Sequence, residues 1–120
     1  VYFSEISPRP HDTGMVTMIS QNLSEFALHL RAILGLPIPE IVQYAPAASH
    51  ALVVAANSAD VEFCNIDEAL QQGGTELRLF GKPEIKGKRR MGVALALGKS
   101  VNEAREKAAQ MVQSLSVTVH

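Results

Sequence analysis

The sequence holds a single cysteine, Cys64, in 120 residues. One cysteine permits neither a disulfide within the chain nor a cysteine-rich metal site. No activating neighbour flanks it for catalysis, and free cysteine is among the most often buried residue types. We therefore expect Cys64 to be a small buried apolar residue, and the protein to work in a reducing, cytoplasmic compartment.

The chain also has little net charge and no long apolar run. The formal net charge is −1, so no overall field draws the chain to nucleic acid or to an anionic membrane. The longest uninterrupted apolar run, Ala51–Ala56, is far too short to cross a bilayer. We expect neither nucleic acid nor a membrane among the partners.

What is present is an ordinary globular composition, with 47% hydrophobic and 19% charged residues. The length suits one domain, or one domain and part of another. Because the chain begins without methionine, inside a strand-like segment, we expect it to be a fragment of a longer protein.

Helical spacing of apolar residues predicts two helices in the first two thirds of the chain. The first covers residues 23–34, with a capping box at Asn22–Glu25 before it and Gly35 to end it. A short second helix opens at Asn65–Glu68 and is closed by Gly73 and its neighbour.

A third helix opens near the C-terminal end, at the capping box Ser100–Glu103. Glu103 and Lys107 are four residues apart, so we expect an ion pair between them on the solvent side. The apolar face of this helix carries Val101, Ala104, Ala108, Met111, Val112 and Leu115.

Alternating or β-branched apolar runs predict strands at residues 50–56, 75–80, 90–97 and 117–119. The strand at 90–97 has large side chains on one face and small ones on the other, which indicates close packing of the small face against another layer. Three prolines predict that residues 37–49 form a linker to a compact α+β part. The large residues are Met91, Val93, Leu95 and Leu97, and the small ones are Gly92, Ala94 and Ala96.

A cluster of five cations lies on and beside the loop Gly81–Arg90. One interpretation is a solvated hairpin tip. The other is a site for a phosphate ester, because guanidinium groups suit phosphate geometry. Arg89 and Arg90 are adjacent, so in a strand they face opposite sides unless the backbone bends.

Polar side chains also crowd the opening stretch Glu5–Gly14. Prolines favour an extended backbone for the residues before them, which would put Glu5, Ser7, Arg9 and His11 on one side. A carboxylate and a hydroxyl suit Mg²⁺, and Arg9 could then meet the anionic group that the metal activates. The alternative is a strand-to-helix loop whose polar groups cap and solvate.

Residues Tyr2–Gly14 closely resemble the end of the ATP-grasp domain in the formate-dependent phosphoribosylglycinamide formyltransferase family. This resemblance implies the last strand and helix of an ATP-grasp domain at residues 1–36, the linker at 37–49, and a small α+β domain of barrel-sandwich type at 50–120. It continues through residues 21–36, 43–49, 78–85 and 89–96.

The resemblance also implies residue roles at the substrate. Asp12 would contact glycinamide ribonucleotide near its amine end, orient that amine and take its proton. Lys82, Arg89 and Arg90 would bind the same substrate, most naturally at its phosphate.

The resemblance further implies a mechanism in which ATP phosphorylates formate and the substrate amine then attacks the formyl phosphate. Glu5 would be one of two magnesium-ligating glutamates, the other lying upstream of Val1. Arg9 would face the acyl phosphate as a catalytic residue. The implied parent enzyme is a homodimer that uses Mg²⁺ and ATP and needs no folate, and the fragment alone is expected to be inactive.

Two alternatives stay open. The carboxylating ATPase of the same pathway, which uses bicarbonate, shares a Ser-Pro-Arg-Pro-His-like core, but it typically has asparagine where this chain has Asp12. A non-catalytic phosphate-binding module would also suit the length of the fragment.

Overall fold

The computed structural model describes residues 2–3 and 6–120 and has the α+β architecture that the sequence predicts. The strand β4, Ile85–Leu97, runs through the middle of the larger sheet. Within the described residues, no helix is long and apolar enough to cross a membrane. In chain order the elements are a 3-10 helix Asp12–Val16, α1 Thr17–Ser20, α2 Glu25–Leu34, β1 Ala47–Ser58, β2 Val61–Cys64, α3 Ile66–Ala69, β3 Thr75–Leu79, β4 Ile85–Leu97, α4 Val101–Ser114 and β5 Ser116–Val119.

The larger sheet has three antiparallel strands in the order β1-β4-β3, and β2 pairs with β5 in a second, two-stranded sheet. β1 and β4 extend beyond the predicted strands because they pair along their whole lengths, from Ala47 opposite Leu97 to Ser58 opposite Ile85. Since β1 begins at Ala47, it takes in the last residues of the predicted linker.

The two faces of β4 build two hydrophobic clusters. Ala94 and Ala96 pack with Met111 of α4, so the small-residue face accepts a helix, as the sequence predicts. Val93 and Leu95 pack on the other face against Ile19 of α1. The sheet therefore lies between α4 and the N-terminal helices.

A β-bulge interrupts the pairing of β4 with β1. Leu52 lies opposite Gly92 and Val53 opposite Arg90, so Met91 is an extra residue in β4. Because of this extra residue, each β4 position before Met91 faces the opposite side of the sheet from the one that simple alternation would give. The predicted alternation thus holds from Gly92 onward, and the bulge sets the direction of the basic residues that precede it.

Helix α2 begins two residues later than the capping-box prediction, which was wrong about the capping residue. The Ser24 side chain accepts the hydrogen bond from Ala27 N at 3.2 Å. Asn22 instead bonds the later segment, accepting from Val42 N at 2.8 Å and donating to Glu40 O at 3.1 Å. The helix ends as predicted at Gly35, which takes the left-handed conformation with φ +63°.

The prediction for the third helix was right about its start and wrong in two details. Ser100 caps α4 by accepting from Glu103 N at 3.2 Å. Lys107 does not pair with Glu103, since its Nζ donates to Gly73 O and Leu97 O at 3.1 and 2.9 Å. Val101 is exposed rather than part of the buried face.

Two further predictions need correction. Cys64 is only partly buried, because it lies in the short strand β2 at the margin of the core. Residues 6–11 do not form an extended track, since the chain bends at Pro8 and Arg9. The Ser7 hydroxyl closes this bend by donating to Arg9 O at 2.6 Å.

Candidate functional site

The 3-10 helix that begins at Asp12 carries this carboxylate to the sheet. His11 precedes it in an extended conformation, with φ −145° and ψ −163°. Gly14 N donates to His11 O at 3.0 Å, and the Thr17 hydroxyl donates to Gly14 O at 2.6 Å. Glu25 N at the start of α2 in turn donates to the Thr17 hydroxyl at 2.8 Å. These bonds fix the turn from both sides.

Asp12 forms an ion pair with Arg90 of β4. The Arg90 Nη1 donates to Asp12 Oδ2, and His11 Nδ1 lies 3.1 Å from Asp12 Oδ1. The hydrogen bond with His11, followed by that with Arg90, holds the pKa of the Asp12 carboxyl below its ordinary value, although burial opposes the shift. Asp12 is therefore an anion at neutral pH.

A cavity of about 180 Å³ opens beside this pair. Its floor is the face of β1 and β4 that carries Ser49, Ala51 and Val93, and Phe80 forms one wall. The cavity combines one anion, one cation and two hydroxyls with an apolar wall, which suits a small polar ligand. Its lining includes Asp12, Thr13, Ser49, Phe80, Arg90 and Gly92.

Lys82 packs against Phe80, which forms one wall of this cavity. Its Nζ is 5.5 Å from the centroid of the Phe80 ring, a cation–π contact with a residue that lines the cavity. Two backbone hydrogen bonds hold Lys82 and Phe80 in this arrangement. Lys82 N donates to Phe80 O at 2.8 Å, and Phe80 N donates to Met91 O at 2.7 Å.

Arg89 is not brought to Asp12. It lies opposite Val54, whose side chain packs against the α4 side of the sheet, whereas Arg90 lies opposite Val53. The two arginines therefore occupy opposite faces. Arg89 donates to Glu84 O within its own loop.

Arg9 lines a second, larger groove of about 590 Å³ between the opening stretch and α2. Its Nη1 donates to Pro10 O at 3.2 Å. His11 and Thr13 line this groove as well, and Thr13 also lines the cavity beside Asp12. The groove and the cavity are thus neighbours that share the start of the 3-10 helix.

The predicted metal ligand Glu5 lies outside the described residues. Among residues 2–3 and 6–120, no group of three or more histidine, cysteine, aspartate or glutamate side chains comes together to hold a metal. The described donors alone therefore do not form a magnesium site.

The sequence did not single out Thr13, Ser49 or Phe80 as cavity residues. The alternation of β1 places Ser49 on one face, but the face that meets Asp12 depends on the pairing of β1 with β4. Phe80 was predicted only as the end of a strand. Its position against the cavity depends on the bond to Met91, which is the bulged residue.

Comparison with known proteins agrees with the resemblance. The family model "PurT, C-terminal" matches residues 47–115, and the ATP-grasp domain model matches residues 1–26. The formate-dependent phosphoribosylglycinamide formyltransferase of Marinobacter nauticus is 58% identical over 117 residues. That match covers 98% of this chain but only 30% of the relative, so the chain spans about 30% of the length of the curated relatives it matches.

Two solved structures share the fold. The N5-carboxyaminoimidazole ribonucleotide synthetase of Thermotoga maritima has a TM-score of 0.83 at 30% identity, covering 95% of this chain and 32% of that one. Glycinamide-RNase-transformylase T of Mycobacterium tuberculosis has a TM-score of 0.71 at 30% identity, covering 96% and 29%. These matches confirm the predicted family and fold class: the chain belongs to the PurT, C-terminal family and carries part of an ATP-grasp domain before it.

Proposed function

We propose that this chain is the C-terminal part of an ATP-dependent enzyme that activates formate and formylates glycinamide ribonucleotide in purine synthesis. One observation carries the proposal. Arg90, in the region that matches the PurT family, bonds Asp12, in the region that matches the ATP-grasp domain, beside a cavity. A site shared by the two regions suits a reaction that joins an ATP-activated acid to a second substrate.

The residue roles follow the resemblance. Asp12 would hold the amine end of the ribonucleotide, and Lys82, Arg89 and Arg90 would be its cationic contacts. Arg9 would face the acyl phosphate from the neighbouring groove. The shared position of Thr13 supports this division, because it sets the groove directly beside the cavity.

The chemistry proceeds in two balanced steps. A formate oxygen attacks the γ-phosphorus of ATP, the bond to the β-phosphate oxygen breaks, and ADP leaves. The amine nitrogen then attacks the formyl carbon, the bond from that carbon to the phosphate oxygen breaks, and the nitrogen loses a proton. Positioned charges are what such phosphoryl transfer mostly requires. An ionised Asp12 serves the second step, the acyl transfer, by accepting hydrogen bonds from the amine.

Formate is favoured over bicarbonate by the relatives. The formate-dependent relative is 58% identical to this chain, whereas the carboxyaminoimidazole synthetase is 30% identical. Asp12 supports the same choice, since the carboxylating relatives typically have asparagine there. The high TM-score of the synthetase, 0.83, keeps carboxylation as the second candidate.

Magnesium, with Glu5 as a ligand, is proposed on the resemblance alone. When bound, the metal would offset the charge of the ATP phosphates. The described residues alone do not form its site. A cytoplasmic, homodimeric parent enzyme without folate is proposed on the same ground.

The test is substrate dependence in the full-length protein that contains this chain. We expect steady-state ADP release to require formate and glycinamide ribonucleotide together, with one labelled formate oxygen appearing in the released phosphate. Dependence on bicarbonate and aminoimidazole ribonucleotide would establish the carboxylating alternative. Phosphate binding without ADP release under either condition would identify a non-catalytic module.

A further inference from the structure

The charges of this chain are distributed unevenly, although its net charge is only −1. Residues 81–90 hold five of the eleven lysine and arginine residues and one of the twelve acidic residues, a net charge of +4. The other 110 residues therefore carry a net charge of −5. An approaching anion is repelled on average by the rest of the chain and attracted to this one segment.

The β-bulge at Met91 places three of these cations on one face of the sheet. Residues directly opposite each other in an antiparallel pair share a face, as do alternate residues of one strand. Because Arg90 bonds Asp12 beside the cavity, the face in question is the cavity face. The three exposed cations, here called the basic row, are Lys86, Lys88 and Arg90, and they lie opposite the uncharged residues Asn57, Ala55 and Val53.

Lys88 is the one member of the basic row whose charge is not paired with an acid. Arg90 pairs with Asp12, and Lys86 Nζ lies 2.8 Å from Glu84 Oε1. Within the part of the chain that the structure describes, Lys88 forms no ion pair. An ion pair has little net charge at a distance of several ångströms, so the field of the basic row comes mainly from Lys88.

Lys88 is close to the cavity but outside it. At about 3.4 Å per residue, its Cα lies about 7 Å along β4 from that of Arg90. Arg90 lines the cavity, whereas Lys88 does not belong to the described residues that line it. A charge placed outside a binding site changes the rate of encounter with a ligand more than the release of the bound ligand.

We propose that Lys88 steers the anionic substrate toward the cavity without contacting the substrate once it is bound. Glu84 weakens this effect, because it cancels the charge of Lys86 at the outer end of the basic row. The proposal rests on the proposed function, whose second substrate is a ribonucleotide. The phosphate monoester of such a substrate carries a charge of about −1.5 to −2 at neutral pH.

The first test measures the kon and koff of glycinamide ribonucleotide by stopped flow in the full-length enzyme. We expect Lys88→Gln to lower kon by about 2-fold in about 0.02 M salt, because one unit charge attracts a dianion only weakly through water. The difference should vanish in about 0.5 M salt, and koff should stay unchanged. A loss that persists in 0.5 M salt and appears in koff would show direct contact and would overturn the proposal.

Two further variants separate steering from a general effect of net charge. Glu84→Gln should raise kon by about 2-fold in low salt, since it leaves the charge of Lys86 unpaired. Lys99→Gln is the matched control, because it removes one exposed positive charge beyond the opposite end of β4 and should leave kon unchanged. An equal loss in Lys99→Gln and Lys88→Gln, or no gain in Glu84→Gln, would overturn the proposal.

A second measurement does not depend on the reaction. An anionic and a neutral nitroxide are added in turn to the 120-residue chain, and NMR records the relaxation of each backbone amide. We expect the anionic nitroxide to relax the amides of residues 86–90 more than the neutral one does, and Lys88→Gln to reduce this excess. Equal relaxation by the two nitroxides would overturn the proposal. Failure of formate dependence alone would overturn the proposed function and leave this result standing.

Discussion

Gly92 is a cavity-lining residue of β4 that has no room for a side chain. It lies between Leu52 of β1 and Leu79 of β3 and directly follows the bulged Met91. A Cβ built on Gly92 would be 2.7 Å from the Arg78 carbonyl oxygen and 3.2 Å from Leu79 Cδ2. The carbonyl belongs to the sheet, so it cannot move away without loss of pairing. Only glycine leaves this strand junction unstrained.

We therefore expect Gly92→Ala to lower the free energy of unfolding by about 1–3 kcal/mol, the usual cost of overpacking a filled site. Chemical denaturation of the 120-residue chain measures the effect. Gly73→Ala is the matched control, because a Cβ there has nothing within 4 Å. Equal stability changes in the two variants would contradict the close approach at Gly92.

Residue-level roles could be predicted from the sequence only where a local pattern carries them. Ser100 was recognised as a cap because capping depends on residues within one turn. The bonds of Lys107 to Gly73 O and Leu97 O could not be foreseen, since they join segments far apart in the chain. The Asp12–Arg90 pair is of the same kind, as 78 positions separate its members.

Among the elements, α2 depends on its ends more than on its packing. None of its residues is buried, and Ile33 and Leu34 are 67% and 60% exposed. Ser24 caps its first turn, while Asn22 ties residues 40–42 to the chain before the helix. Helix stability and attachment of the following segment are thus assigned to two different side chains.

Hydrogen exchange separates these two functions. We expect Ser24→Ala to speed exchange of the α2 amides by about 5-fold, corresponding to a cap of about 1 kcal/mol. Asn22→Ala should instead speed exchange at Val42 N, whose acceptor is the Asn22 side chain. If Asn22→Ala destabilised the α2 amides as strongly as Ser24→Ala, the original capping-box prediction would be right after all.

The elements of the C-terminal part were the more predictable ones. The alternation in β4 and the helical spacing in α4 are satisfied by the same packing, in which Ala94 and Ala96 lie against Met111. Strand β2 was missed because it has only four residues, and its partner β5 lies at the far end of the chain. The bulge at Met91 was missed because it is a property of the pairing with β1 and not of β4 alone.

At the scale of the whole molecule, burial is divided unevenly along the chain. Both hydrophobic clusters are built around the β1-β4-β3 sheet. Many of the exposed large apolar side chains belong to the N-terminal segment instead, including Tyr2, Phe3, Leu30, Ile33 and Tyr44. Packing of the β1-β4-β3 sheet against α4 therefore provides most of the apolar burial that stabilises the described residues. The region that matches the ATP-grasp domain adds contacts mainly through Ile19 and Met15.

This division leads to the last prediction, which concerns nucleotide binding by the 120 residues alone. The ATP-grasp match covers residues 1–26, and the described residues form no three-ligand group for magnesium. A single carboxylate leaves most of the metal octahedron to water, so metal affinity should be poor. We expect no ATPase activity and no sub-millimolar binding of ATP–Mg²⁺, whereas a ribose phosphate should bind weakly near Lys82.

Calorimetric titration with ATP–Mg²⁺ and then with ribose 5-phosphate tests both expectations, with the full-length protein as the positive control. Tight binding of ATP by the 120 residues would place the nucleotide site within this chain, and ribose phosphate affinity unchanged in Lys82→Gln would exclude Lys82 as the anion contact.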